Sequence, residues 1–225
     1  GKIKMRTKTK PLVVKEGRTE LSTENRTFVH PSYGPDTYFA VGDLIARDGH
    51  QRPTMADTAD LVHTAFNSDD NYSNGIKQIM KDGFLWVYQR SLYIPKEGAY
   101  IYPEQEDGRI LNKADLEKLL EANDLSVRFV PFGFEIESMS PMQLAKNPYV
   151  IALAGEEGAD KLAEVADKFR QKPYLWSLES VNEPTTRVFA LVSNGNFDRR
   201  LDVFGDAHGD GRDGRAFGVR SAREK

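Results

Sequence analysis

The pattern of apolar and polar positions predicts two helices in the first half of the chain. Between residues 54 and 66, apolar residues recur at spacings of four, three and four, which places them on one helical face. Thr54 is a good N-cap, and Asp57 follows where an acidic side chain favours the helix N-terminus. A shorter helix is predicted from Ser73, with Asp82 and Gly83 as its end.

Short apolar runs predict strands before and after these helices. Residues 12–14 and 38–41 are candidate strands within a stretch punctuated by glycine, proline and aspartate. Three more apolar runs follow the helices, and the breaks between them suit hairpin connections. The further elements predicted from pattern are strands at 84–88, 91–94, 99–102, 127–136 and 149–153, and helices after Asn112, from Ser140-Pro141 and over 159–169.

From Tyr174 to the end, strand-like runs are separated by polar loops. The runs YLWSL, RVFALV and RAFGVRSA predict strands, and glycine, asparagine and aspartate dominate the connections. A rigid frame that carries polar loops is a common design for recognition surfaces. Helices and strands do not alternate regularly, so the predicted fold class is α+β. The predicted core of this segment is Leu175, Trp176, Val188, Ala190, Val192, Phe217 and Val219.

Composition narrows the function classes. The 225 residues are 39% hydrophobic and 29% charged, and no apolar run approaches the roughly 20 residues of a membrane helix. A net charge of −3 argues against sequence-independent nucleic-acid binding, which needs a cationic surface. The basic N-terminus lacks the apolar segment of a signal peptide. We therefore expect a cytoplasmic or virion-associated protein without nucleic-acid partners or membrane insertion.

No catalytic motif stands out. The chain has no cysteine, which excludes thiol nucleophiles, thiolate metal sites and disulfides. It also lacks the GxSxG elbow, the P-loop, the strand-to-helix GxGxxG turn and HExxH. The prediction is a non-enzymatic protein without a cofactor.

The carboxylates at 202–213 allow a metal-dependent alternative. Asp206, Asp210 and Asp213 lie in a glycine-rich turn after Asp202, and flexible loops of oxygen ligands suit calcium. The spacing matches neither the EF-hand nor the nonapeptide calcium repeat, and interspersed arginines offer ion pairs instead. Arginine–aspartate pairing is the favoured interpretation, so no metal is assigned. A hydrolase using these aspartates with His208 stays the alternative.

Aromatic residues divide by their surroundings. Trp86 and Trp176 each lie in an apolar strand, which favours a place in the core. Phe197 and Phe204 lie among polar residues and glycine, which is typical of aromatic anchors on binding surfaces. Ordinary core packing is the second interpretation of both phenylalanines.

The C-terminal pattern resembles a known family. Trp176-Ser177, the strand 187–192 and the terminal GRAFGVRSAR at 214–223 are similar to the end of C-type lectin domains of the formylglycine-generating-enzyme kind. The chain looks most like the variable proteins of diversity-generating retroelements, and the cysteine-free form is similar to archaeal or archaeal-virus members. The resemblance covers the segment 174–225 well and the rest only in broad order.

This resemblance implies a receptor. It implies one C-type lectin-like domain over 1–225, a possible insertion at 104–170 and a variable ligand-binding segment at 174–225. In this family, adenine-directed mutagenesis rewrites solvent-facing positions that bind a macromolecular ligand. A structural virion component is a further alternative. The positions whose residue types fit the ligand-binding set are Asn182, Asn194, Asn196, Phe197, Asp198, Asp202, Phe204, Asp206, His208, Asp210 and Asp213.

Overall fold

The computed structural model describes residues 10–15, 20–193 and 199–220. This part of the chain forms six helices and eleven strands, and the fold is α+β. The helices are α1 (Tyr38–Arg47), α2 (Met55–Phe66), α3 (Asn71–Asp82), α4 (Lys113–Glu121), α5 (Pro141–Lys146) and α6 (Pro148–Ala166). The strands are β1 (Val13–Lys15), β2 (Glu20–Ser22), β3 (Thr27–Asp36), β4 (Phe84–Ile94), β5 (Gly98–Pro103), β6 (Arg128–Pro131), β7 (Glu137–Ser138), β8 (Tyr174–Trp176), β9 (Thr185–Val192), β10 (Asp202–Ala207) and β11 (Gly214–Val219).

The predicted helix starts with clear capping residues are confirmed. The Thr54 side chain accepts from the backbone N–H of Asp57, and the Asp57 side chain reciprocates, forming a capping box at the start of α2. Asn112 caps α4 and Ser140 caps α5 in the same reciprocal way. Local hydrogen bonding by these side chains therefore decides where the helices begin.

Two predicted strands are helices. Residues 38–41 open α1, because the Thr37 side chain caps a segment whose Tyr38, Val41 and Ile45 share one buried face. Three helices therefore precede β4, where the sequence predicted two. Residues 149–153 belong to α6, which Asn147 caps and Pro148 opens, and which runs on to Ala166. An apolar run of five residues is compatible with both structures, and the caps decide between them.

The strands form one mixed sheet rather than several small sheets. Its order is β1-β2-β3-β11-β4-β9-β10-β8-β7, with β5 paired to β4 and β6 paired to β5. The pairs β4–β11 and β8–β10 are parallel, whereas all other named pairs are antiparallel. The last strand, β11, thus lies between β3 from the N-terminal part and β4 from the middle of the chain.

Strand β4 organises the sheet because it is long. The predicted break at residues 89–90 is wrong, since β4 continues through it with an irregularity between Val87 and Arg90. Its first residues pair with β11, its second half pairs with β5, and its other edge pairs with β9. The predicted hairpin at 95–98 is confirmed, since Ile94 pairs with Gly98.

Helices cover the two faces of the sheet unequally. The main core contains residues of α2, α3, α5 and α6 together with Leu85, Val87, Phe189 and Leu191 of the central strands. On the opposite face, the ten-residue helix α1 packs against Trp86 and its neighbours. A third cluster joins α4 to the β4–β5 hairpin. The possible insertion at 104–170 supplies α5 and α6, and hence much of the main core.

Candidate ligand-binding surface

The C-terminal strands supply the buried frame that the sequence predicted. Leu175, Val188, Ala190, Val192, Phe217 and Val219 are all buried, as expected. Trp176 differs, because it is only half-buried. Alternation along β9 sends Phe189 and Leu191 into the main core, whereas Val188 and Ala190 face the α1 side.

An open groove of about 280 Å³ lies on the α1 side of the sheet. It crosses the start of β4, the end of β9 and the middle of β10. Helix α1 contacts the adjoining part of this face but does not line the groove. The lining residues are Asp82, Gly83, Phe84, Trp86, Ala190, Val192, Phe204, Ala207 and Asp213.

Two perpendicular rings form one wall of the groove. The centroids of Phe84 and Trp86 are 4.6 Å apart, with an angle of 85° between the ring planes. The Trp86 indole donates to the Asp36 carbonyl oxygen at 2.9 Å, which fixes its orientation. Gly214 packs so closely against these rings that a Cβ atom there would lie 2.1 Å from Trp86 Nε1. The wall is therefore rigid.

Phe204 forms the second wall of the groove. Strand pairing sets Trp86, Ala190, Phe204 and Trp176 side by side across four strands. The half-buried Phe204 ring stacks on Trp176 with centroids 5.4 Å apart and planes within 5°. Its position matches the predicted aromatic anchor, and it also packs against the α1-side cluster. Core packing therefore accounts for part of the Phe204 ring, and its role as a binding anchor stays a prediction.

The carboxylates of Asp82 and Asp213 lie at one side of the groove. Asp82 ends α3 and Asp213 ends the loop before β11, and both are exposed. The two segments touch, because the Phe84 N–H points at the Asp213 carbonyl oxygen at 3.4 Å. Gln78 donates to Asp82 Oδ2 at 2.6 Å, whereas within the described ranges the Asp213 carboxylate has no hydrogen-bond or ion-pair partner. The lining residues within the part of the chain that the structure describes include no basic residue.

Asp202 does not belong to the exposed surface. It is fully buried, and its Oδ1 atom accepts from Trp176 Nε1 and Arg200 Nε, both at 3.0 Å. Burial raises the pKa of this carboxyl, although Trp176 and Arg200 act in the opposite direction. Asp202 Oδ2 is buried, and no described residue forms a hydrogen bond with it. The expectation of a solvent-facing Asp202 is therefore wrong, and the residue holds Trp176 and Arg200 in place.

The remaining predicted residues occupy the loops around these strands. Asn182, His208 and Asp210 are exposed, and Asp206 is half-buried. Burial raises the pKa of Asp206, while the charges of Arg187 and His208 oppose this shift. The predicted residues Asn194, Asn196, Phe197 and Asp198 lie outside the described residues.

The aspartates do not converge on a metal position. Asp202 faces Trp176 and Arg200, Asp206 faces Arg187, and Asp213 borders the groove. Across residues 10–15, 20–193 and 199–220, no three histidine, aspartate or glutamate side chains are placed to hold a metal ion. The hydrolase alternative therefore lacks a ligand cluster in this part of the chain.

Sequence reasoning missed the half of the groove that comes from the first half of the chain. The apolar run at 84–88 predicts a strand that places Trp86 in the core, and Trp86 is buried. For Asp82 the sequence predicts only the end of a helix. A period-two pattern in FLWVY does assign Phe84 and Trp86 to the same face of β4. That the face stays partly open depends on the short length of α1 and on the strand order.

Comparison of the chain with protein-family models, curated proteins and solved structures finds no match. Among the helices of the described ranges, none is long and apolar enough to cross a membrane.

Proposed function

We propose that the protein is a non-enzymatic receptor that binds another protein, or another macromolecule, through its C-terminal segment. Its scaffold would be a C-type lectin-like domain of the formylglycine-generating-enzyme kind, and its exposed loop residues would be diversified by a retroelement of an archaeon or an archaeal virus. The observation that carries the proposal is the separation between buried strand residues and exposed loop residues within 174–219. The open aromatic groove adds a concave place for a ligand.

This separation meets the energetic demand of a changeable surface. Replacing a fully buried leucine such as Leu175 by alanine costs about 2–5 kcal/mol. Exposed positions such as His208, Asp210 and Asp213 usually tolerate change within about 0.5 kcal/mol. Because domains are stable by only about 5–15 kcal/mol, several simultaneous changes are tolerable only at the exposed positions.

The groove joins a constant part to a changeable part. Asp82, Phe84 and Trp86 precede the segment 174–225, whereas Phe204 and Asp213 lie within it. Aromatic walls supply contact area at low entropic cost, as in antibody paratopes. In a receptor of this design, the wall formed by Phe84 and Trp86 keeps its sequence, whereas the wall formed by Phe204 and the surrounding loops vary in sequence.

The two alternative functions, a metal-dependent hydrolase and a structural virion component, require different features of the protein. A metal-dependent hydrolase needs several converging ligands, and the described aspartates face different partners. A structural virion component needs no diversified surface. Natural substitutions in it would therefore depend only on how exposed each position is, wherever that position lies in the chain. The distribution of natural substitutions separates that alternative from the receptor.

The decisive experiment is to sequence this gene and its flanking DNA from related isolates. We expect substitutions concentrated in adenine-bearing codons for exposed residues between 182 and 213, beside a near-copy repeat and a reverse transcriptase gene. Exposed positions of α4 serve as the matched control, because they are equally accessible but lie outside the proposed segment. Equal substitution rates in α4 and in 182–213 would contradict the proposal.

A protein-level measurement complements the sequencing. The triple variant His208→Ala, Asp210→Ala and Asp213→Ala is expected to lose at most about 1.5 kcal/mol of unfolding free energy. The single variant Leu175→Ala, on a neighbouring strand, is expected to lose about 2–5 kcal/mol. If the triple variant unfolds while Leu175→Ala does not, these loops are structural and the receptor surface lies elsewhere.

A further inference from the structure

We infer that the groove between Phe84, Trp86 and Phe204 takes a cationic side chain of the ligand, and that arginine fits it better than lysine. This inference rests on the proposed receptor function and names the ligand chemistry that this version of the surface selects. It is carried by two independent features of the groove, which are its aromatic walls and its carboxylates.

The aromatic walls favour a flat cation. Phe84 is half-buried and borders the groove beside Trp86, and Phe204 borders it from β10. A guanidinium group stacks on aromatic faces and is more weakly hydrated than an ammonium group. The attraction between a cation and an aromatic face is strongest for tryptophan and increases when the site excludes water. These rings therefore recognise the planar head of an arginine and the apolar stem that carries it.

The carboxylates supply the charge complementarity. Asp82 and Asp213 border the groove, and among the described residues that line it none is basic. The Asp213 carboxylate has no partner within the described ranges, and the Gln78 contact leaves Asp82 Oδ1 available. The planar fork of a guanidinium group matches carboxylate geometry, whereas the lysine head is a compact point charge. An anionic ligand group would meet two like charges here and be repelled.

Arg200 and Arg215, two arginines of the neighbouring strands and loops, are engaged with other residues. Arg200 lies over the Tyr174 ring at 4.3 Å and pairs with Asp202. Arg215 donates to the Gly34 carbonyl oxygen at 2.8 Å. In the described part of the chain, no ion pair joins Asp82 or Asp213 to either residue.

The size of the groove indicates a single side chain. Its volume of about 280 Å³ is slightly below the roughly 300–1,000 Å³ of sites that enclose whole small molecules. The groove is open, so the backbone of the ligand would remain on the surface and contact the surrounding loops. This arrangement corresponds to one anchor residue at the centre of a larger protein interface, a position in which arginine is enriched.

The inference is tested by titrating the whole chain with N-acetyl-arginine amide and following the indole N–H resonances of Trp86 and Trp176 by NMR. N-acetyl-citrulline amide is the matched neutral probe, since it keeps the shape and loses the charge. We expect the Trp86 signal to shift with the arginine probe, and binding of the citrulline probe to be weaker by about three- to tenfold. N-acetyl-lysine amide should bind between the two.

Variants then locate the site. Asp213→Asn combined with Asp82→Asn should remove the preference for arginine over citrulline, whereas Asp210→Asn should keep it. Asp210 is the matched control because it is an exposed carboxylate on the same loop that does not line the groove. Equal binding of both probes to the unmodified protein, or an unchanged preference in the double variant, overturns the inference.

Failure of the inference and failure of the proposed function give different results. If natural substitutions cluster at 182–213 but the arginine probe does not prefer the groove, the receptor function stands and the ligand chemistry is wrong. If the arginine probe binds as expected but substitutions are spread evenly, the groove is a cation site on a protein of another function.

Discussion

The close contact between Gly214 and the groove wall leads to a sharp prediction for Gly214→Ala. A Cβ atom at this position would lie 2.1 Å from Trp86 Nε1 and 2.5 Å from Phe84 Cε2, far inside contact distance. Trp86 has no room to move, because it is 3% exposed and donates to the Asp36 carbonyl oxygen at 2.9 Å. The substitution therefore forces the rings apart or breaks this hydrogen bond.

The expected cost combines two contributions. Inserting a methyl group into a well-packed site costs about 1–3 kcal/mol. Losing the indole hydrogen bond adds about 1 kcal/mol, which gives a total of about 2–4 kcal/mol. In a protein of this size, each kcal/mol lowers the Tm by about 2–4 °C. The groove would also change shape, so the arginine probe should bind more weakly to any folded fraction.

Denaturant titration followed by tryptophan fluorescence measures this loss, with Gly75→Ala as the matched control. Gly75 is exposed inside α3, and a Cβ atom there meets nothing within 4 Å. Alanine favours helix over glycine, so this control should gain about 0.5–1 kcal/mol. If Gly214→Ala stays within about 0.5 kcal/mol of the unmodified protein while Gly75→Ala behaves as expected, the wall is not rigid and the reasoning fails.

Two further predictions concern buried carboxylates. Burial raises the pKa of Asp202, so the protonated carboxyl stabilises the folded state below the unfolded-state pKa of about 3.9. This stabilisation is lost as pH rises through the folded-state pKa, because the carboxylate is then charged in a buried position. Asp202→Asn should therefore gain stability relative to the unmodified protein between about pH 4 and pH 7 in urea titrations, and a difference that shrinks with rising pH would contradict this. Glu104→Ala should cost about 3–5 kcal/mol by the same method, because Glu104 accepts two hydrogen bonds from buried Arg90, at 2.6 and 3.0 Å. The exposed pair between Lys113 and Glu97 is the comparison, and an equal loss in Lys113→Ala would refute the role of burial.

The sequence predicts a helix or strand reliably where a capping side chain and a long run of periodic apolar residues indicate the same element. Helix α2 is the clearest case, since Thr54 and the spacing through Phe66 both indicate it. The same signals failed at residues 38–41 and 149–153, where four or five apolar residues are too few to distinguish a strand from a helix. The side chains of Thr37 and Asn147 cap these two helices and are the local signal that favours helix over strand at both places.

The candidate site could be predicted only in part. The residue types of Phe204 and Asp213 identified two of its members, because an aromatic residue and a carboxylate among glycines suit a surface. Asp202 has the same kind of local sequence but is buried, because strand β8 places Trp176 beside it. Nothing in the immediate neighbourhood of Asp202 or Asp213 separates these two outcomes.

The sequence by itself determined the fold class, the capped helices and the apolar residues that form the C-terminal frame. All of these depend on residues within a few positions of each other, where hydrogen bonding and periodicity act directly. The tertiary structure alone decided that Phe84 and Trp86 face Phe204, that Asp82 lies beside Asp213, and that α1 leaves this face open. These contacts depend on strand register and helix placement between distant segments, for which a single chain carries no local signal.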